Sequence, residues 1–206
     1  MEYHSHEVVT ERNVVLLEHG HASELTDYLA NEVRVALVYN GIAHTVMLAS
    51  PQDLEAFAIG FTLSERIVSH INDIKGVELE FTSEGVLIQV EINQRCFMEL
   101  KQQRRNMAGR TGCGLCGVAQ LEEAVKPVMR VDSDARFDIE HLQVALGQIQ
   151  DNQQHFKLTG ATHAAMGLNH QGQIIAAYED IGRHIALDKL IGAFSAHNVE
   201  RPVAVL

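Results

Sequence analysis

Arg110-Thr111-Gly112-Cys113-Gly114-Leu115-Cys116-Gly117, near the middle of the 206-residue chain, constrains the fold more than any other stretch. Glycines at 112, 114 and 117 surround a C-x-x-C pair that holds two of the chain's three cysteines. Glycine weakens helix and strand interiors alike, so this segment reads as an exposed loop that separates an N-terminal half of the chain from a C-terminal half. The chemistry of the loop is that of sulfur. A thiolate is the reactive form, and its pKa falls from about 8.5 when cations or a helix N-terminus lie near. Arg104, Arg105 and Arg110 crowd the N-terminal side, and 118–125 reads as a short helix whose N-terminus would face Cys116. The expectation is an activated sulfur nucleophile.

Other uses of two cysteines fit less well. A structural zinc site needs four ligands, and there is no second C-x-x-C and no downstream H-x3-5-H among the twelve histidines. A thioredoxin-like pair would directly follow a strand and open a long helix, which the glycines and the preceding polar helix disfavour. A disulfide across two intervening residues closes too short a loop to stabilise much, and no secretory segment is present.

Three segments in register carry a resemblance: Arg110 to Gly117, then Thr159-Gly160-Ala161-Thr162-His163-Ala164-Ala165, then Glu179-Asp180-Ile181-Gly182-Arg183-His184-Ile185-Ala186-Leu187-Asp188-Lys189-Leu190. In order and spacing they resemble the formate dehydrogenase accessory sulfurtransferases, the FdhD family, over most of the chain from about Asn40 onward. The resemblance implies a sulfur carrier. A cysteine persulfide, loaded by a cysteine desulfurase, would be passed to Mo-bis(molybdopterin guanine dinucleotide), the molybdenum cofactor destined for the formate dehydrogenase catalytic subunit. Cys113 maps onto the persulfide carrier, with Cys116 assisting. Arg110, Thr159, Gly160, Thr162, His163, Glu179, Asp180, Gly182, Arg183 and His184 map onto the cofactor-binding set. No resident metal is implied, and a homodimer is the expected assembly. The implied fold is α/β (α+β), with a cytidine deaminase-like larger lobe over 109–206, a smaller hairpin and helix lobe over 32–108, and an extension over 1–31. Deaminase chemistry itself is not supported: there is no H-x-E, and Gly112 stands where P-C-x-x-C has proline.

Composition sets the surroundings. A 46% hydrophobic chain of this length can bury one sizeable core. The net charge of −11 disfavours nucleic acid and anionic membrane as partners, so an anionic cofactor must be met by local cations. No apolar run is long enough to span a bilayer and the first residues lack a signal peptide's pattern, which makes the cytoplasm, where thiols stay reduced, the expected compartment.

Taken in order, 1–31 is polar, with His4 and His6 as a solvated tail and Val14 to Leu17 as an edge strand. Strands 33–39 and 43–48 flank Asn40-Gly41, a hairpin signal. Ser50-Pro51-Gln52-Asp53 opens a helix whose apolar face, Leu54, Phe57, Ala58, Phe61 and Val68, belongs in the core. A second hairpin joins 77–81 to 86–92, and Cys96 comes after it as a buried hydrophobe on a strand over 95–100. A helix over 137–150, capped by Asp138, turns Ile139, Leu142, Leu146 and Ile149 inward. Strands 163–168 and 174–178 come next. The second runs into Glu179 to His184 and a helix with Leu187, Leu190, Ile191 and Phe194 on one face, and such strand, glycine turn, helix junctions are where α/β folds place ligands. The last residues, Pro202 to Leu206, read as a strand just begun, so a C-terminally incomplete chain is expected.

Individual residues in this set have two readings each. His163 contacts guanine or phosphate, or is satisfied by neighbouring backbone. Glu179 and Asp180 read the N–H edge of guanine, or Asp180 caps the helix that begins beside it. Arg183 forks onto phosphate near a helix N-terminus, or pairs with Glu179. Asp188 and Lys189 read as a solvated helix face. The alternative function is a non-catalytic chaperone that binds and delivers the cofactor, its cysteines serving as a redox sensor.

Overall fold

The computed structural model describes residues 7–108, 130, 136–196 and 201–206. Among the described residues, strands β1 (Val9–Glu18) and β2 (His21–Ala30) pair only with each other, as a two-stranded antiparallel ribbon. The expected edge strand at Val14 to Leu17 is therefore half of a hairpin. Its partner gives no strand signal because His21–Ala30 is mostly polar, and almost all of it is exposed.

Strands β3 (Val33–Tyr39) and β4 (Ile42–Ala49) meet at Asn40-Gly41, whose φ values of 46° and 81° are those a tight hairpin turn demands. With β5 (Ile74–Thr82) and β6 (Gly85–Ile92) they form a sheet of order β4-β3-β6-β5, in which β3 and β6 run parallel. Helix α1 (Leu54–Ser64) covers one face. Its Leu54, Phe57, Ala58 and Phe61 pack on Val35, Leu37, Val86, Ile88 and Val90, as the helical spacing predicts. Val68 joins this core from beyond the helix end. Within it, the Thr62 hydroxyl donates to the Ala58 carbonyl at 2.6 Å and lies 2.9 Å from the Tyr39 hydroxyl. Thr62 spends its one proton on Ala58, so Tyr39 is the donor to Thr62, and burial pushes the phenol pKa strongly up.

The expected strand around Cys96 is instead helix α2 (Gln94–Ala108). The Asn93 side chain accepts the Cys96 N–H at 2.8 Å, an N-terminal cap, and Cys96 and Leu100 are buried four residues apart on one helical face. Burial of Cys96 is as expected, and desolvation pushes its thiol pKa up. Helix α3 (Ile139–Gln148) is capped by Asp138, which accepts the Glu140 N–H at 3.0 Å. Its inward face differs from the expectation: Ala145 is buried while Ile139 and Leu146 are exposed.

A short helix α4 (Gln154–Thr159), without a signal in the sequence, precedes β7 (His163–Leu168). Then come β8 (Ile174–Asp180), helix α5 (Arg183–Ala196) and β9 (Ala204–Val205), with sheet order β8-β7-β9. Ala186, Leu190 and Phe194 of α5 pack on Ala165, Ala176 and Tyr178 of this second sheet. The opposite side of α5 meets α1, so two sheets enclose a central pair of helices.

The two helices touch backbone to backbone. A Cβ on Gly60 would lie 1.7 Å from the Asp188 carbonyl oxygen, and one on Gly192 would lie 1.8 Å from that of Ala56. Neither obstacle is a side chain that can rotate away. Gly192→Ala is expected to lower unfolding free energy by about 1–3 kcal/mol, read by urea denaturation. Wild-type stability in that variant would mean the helices are not in contact there.

Candidate functional site

Two strand-to-helix junctions lie side by side: Ser50 to Asp53 between β4 and α1, and Ile181-Gly182 between β8 and α5. Asp180, the last residue of β8, is fully buried and joins them. Its Oδ2 lies 2.8 Å from Lys189 Nζ and accepts the Ser50 N–H at 2.9 Å, while Oδ1 accepts the Gly182 N–H at 2.9 Å. Lys189, equally buried, also donates to the carbonyls of Ser50 at 3.4 Å and Glu179 at 3.3 Å. Three donors on lysine thus meet three acceptors, which is the condition for keeping such a pair out of water.

The expectation of a solvated face at Asp188 and Lys189 is overturned. Asp188 too is buried, and desolvation raises its pKa, with the Ser64 hydrogen bond and His184 opposing the shift and Glu65 adding to it. The spacing carried a signal. Ala186, Lys189 and Ala193 fall at i, i+3 and i+7, and Ala186 and Ala193 are buried, so Lys189 lies on an inward face.

Glu179 organises the other side of the junction. Its Oε1 accepts the His155 N–H at 2.9 Å, and its Oε2 accepts the Phe156 N–H and the Thr162 hydroxyl, both at 2.8 Å. A carboxylate is thereby held at the N-terminus of α4, where free amides favour negative charge. Both oxygens being engaged, Glu179 does not pair with Arg183. Asp180 is likewise committed, closing the turn before α5 through Gly182 rather than capping the helix's first-turn amides.

The expected turn over Thr159 to His163 is shorter in the structure: Gly160 to Thr162 connect the end of α4 at Thr159 to the start of β7 at His163. The Thr159 hydroxyl donates to the His155 carbonyl at 2.8 Å, and Gly160, at φ 62°, ends α4. Thr162 is buried against Glu179, and His163, opposite Asp180 in the β7–β8 register, is exposed. Two residues that sequence reasoning misses join this region: His155 Nε2 donates to Gln52 Oε1 at 2.8 Å, tying α4 to the β4–α1 turn. Nothing in the spacing of Gln52 and His155, 103 residues apart, announces the pair.

The groups left facing solvent are cationic or titratable. Arg183 and His184 are exposed at the start of α5, beside free first-turn amides, and among the described residues Arg183 has no ion pair. That combination suits an anion. Among the described residues no cluster of histidine, cysteine, aspartate or glutamate can hold a metal ion, and no helix is long and apolar enough to cross a membrane. Cys113, Cys116, Arg110 and the helix expected over 118–125 lie outside the described residues.

Because Lys189 neutralises a carboxylate with no access to water, Lys189→Met should cost about 3–5 kcal/mol of unfolding free energy. Arg183→Ala, on the exposed end of the same helix, should change it by about 0.5 kcal/mol or less. Equal effects in a denaturation series would contradict the buried pairing.

Comparison with known proteins places this arrangement. Residues 30–206 match the model of the FdhD/NarQ family. The chain is 82% identical, over all 206 of its residues and 74% of the relative's length, to a protein of Shewanella oneidensis named sulfur carrier protein FdhD. Its fold resembles a crystal structure described as a putative formate dehydrogenase accessory protein from Desulfotalea psychrophila, with a TM-score of 0.63 and 19% identity over 91% of this chain and 67% of that one. The chain belongs to the FdhD/NarQ family.

Proposed function

We propose that the protein is a cytoplasmic sulfur carrier that receives sulfur as a cysteine persulfide from a cysteine desulfurase and passes it to Mo-bis(molybdopterin guanine dinucleotide) for formate dehydrogenase. The observation that carries this reading is the 82% identity, over every residue of this chain, with a protein named as a sulfur carrier, together with the C-x-x-C loop. The Cys113 thiolate attacks the outer sulfur of the donor's persulfide, the donor's cysteine leaves as thiolate, and Cys113 carries the sulfane sulfur. Cleavage of the S–S bond then passes the sulfane sulfur to the cofactor, a reduced acceptor supplying the two electrons that bring it to the sulfide level, and Cys113 leaves as the thiolate. When no acceptor is present, Cys116 attacks the inner sulfur, closing a Cys113–Cys116 disulfide and releasing hydrosulfide, and a cellular dithiol then restores the pair.

The cofactor is the substrate here, and its guanine dinucleotides bring several negative charges to a chain at −11. Arg183 and the free amides opening α5 supply the opposing field, with His163 and His184 beside them. Thr159, Gly160, Thr162, Glu179, Asp180 and Gly182 contribute by building the two turns that hold those groups in place. A non-catalytic chaperone would need the same anion site but no sulfur loading, so the two activities are measured separately.

Incubation with a cysteine desulfurase and cysteine should add one sulfur mass to the wild type and to Arg183→Ala, but none to Cys113→Ala. Arg183→Ala should weaken guanosine diphosphate binding by about 1.5–3 kcal/mol, one to two decades in Kd, in calorimetry. Arg110→Ala should do the reverse, leaving binding intact and slowing loading as the thiol pKa rises. Equal loading of Cys113→Ala overturns the assignment of Cys113, and a wild type that takes up no sulfur while still binding the nucleotide leaves the chaperone.

A further inference from the structure

The β4-β3-β6-β5 sheet has two unlike faces. Val35, Leu37, Met47, Leu79 and Ile88 point to the one that packs with α1. Alternation along each strand sends the residues between them to the other face. There the register sets Val46, Ala36, Leu87 and Glu80 in one row across all four strands, and Leu48 lies next to Val46 along β4. Val46 is 63% and Leu48 53% exposed, while Ala36 and Leu87 are half-buried.

The pattern of β3 and β4 is that of strands covered on both sides. β3 and β6 pair in parallel, an arrangement that is ordinarily buried on both faces and reads as a nearly continuous apolar run. Val35-Ala36-Leu37-Val38-Tyr39 and Val46-Met47-Leu48-Ala49 are such runs. A strand with one wet face alternates instead, as Val77-Glu78-Leu79-Glu80 of β5 does. The border of the apolar stripe is acidic. Glu78 and Glu80 of β5 and Glu91 of β6 are exposed on this same face, and they make no ion pair among the described residues. Arg34, also on this face, is tied to Glu84 at 3.4 Å.

We propose that this face docks a helix of a partner protein, apolar on the side that meets Val46, Leu48, Ala36 and Leu87, and lined with lysine or arginine on the side that meets Glu78, Glu80 and Glu91. The dimensions agree. Val46 and Glu80 stand three strand spacings apart, about 14 Å, and a helix about 10–12 Å across fills that width. Lysine and arginine lay apolar stems over Leu87 while their charged heads reach the carboxylates. Charge selects the partner: an acidic helix or an anionic membrane would meet three unpaired carboxylates on a chain already at −11. A sheet with helices on both faces is a stable layer arrangement, and the docked helix completes it. Because α1 and α5 lie on the other side of the sheet, docking here leaves Arg183 free.

The probe is a fluorescein-labelled amphipathic peptide of leucine and lysine, about 18 residues or roughly five helical turns long. A leucine and glutamate peptide of the same pattern is the control, and each is titrated with the full chain by fluorescence anisotropy. The lysine peptide is expected to bind and the glutamate peptide not to. Val46→Thr with Leu48→Thr keeps β-branched side chains in the strand but removes apolar surface, and should weaken binding roughly tenfold or more. Glu78→Gln with Glu80→Gln should do the same. Glu24→Gln with Asp27→Gln, an equal loss of charge on exposed β2, should leave binding unchanged. The threonine variant should keep the wild-type urea midpoint, because both side chains already meet water. Absence of binding, equal binding of the two peptides, or equal weakening by the two glutamine variants overturns the proposal. So does a lowered midpoint in the threonine variant, which would place this face inside the protein's own core. A self-association of the wild type that the threonine exchange abolishes would make the occupant a second copy, and overturns it as well.

Discussion

One buried ion pair holds the site together. Asp180 and Lys189 are nine residues apart, at the end of β8 and two turns into α5, and each reaches across to the β4–α1 turn through the two backbone groups of Ser50. Such a pair adds little net stability over an apolar equivalent, but losing either member strands a charge in a low-dielectric interior. Its consequence is therefore positional. The start of α5 is pinned against the start of α1, and the contacts at Gly60 and Gly192, where backbone meets backbone, leave the two helices no room to slide.

From that fixed point the groups divide into those that build and those that face outward. Glu179 is spent on the amides of α4 and on Thr162, and Asp180 on Lys189, Ser50 and Gly182. Arg183, His184 and His163 are left at the surface, beside a helix N-terminus. An acidic chain thereby presents a local cationic spot, and it does so by using its nearby carboxylates internally. The sulfur chemistry proposed for Cys113 has different requirements, a glycine-rich backbone and a lowered thiol pKa.

Much of this was legible because local chemistry and tertiary structure agree. Asn40-Gly41 needs positive φ and obtains it, Asp138 caps α3, and Leu54, Phe57, Ala58 and Phe61 go inward. The failures have separate causes, some local and some long-range. Residues 95–100 read as a strand until the Asn93 cap is seen. Lys189 and Asp188 read as solvated because charge outweighed their position on an inward face. Polar His21–Ala30 gave no strand signal because both of its faces meet water. Nor does any spacing link Gln52 to His155, or Ser50 to Asp180 and Lys189; those contacts exist only once the two junctions are brought together.

The claim that these junctions form one locked unit is tested most directly by native-state hydrogen exchange at the amides of Ser50 and Gly182, the two backbone donors to Asp180. Both belong to turns, where amides ordinarily exchange through small local openings. If the buried pair locks the junctions, both will exchange only through global unfolding, with the same opening free energy as the central strand residues Leu37 and Ile88. Exchange of either amide at the rate of an exposed turn would contradict the account.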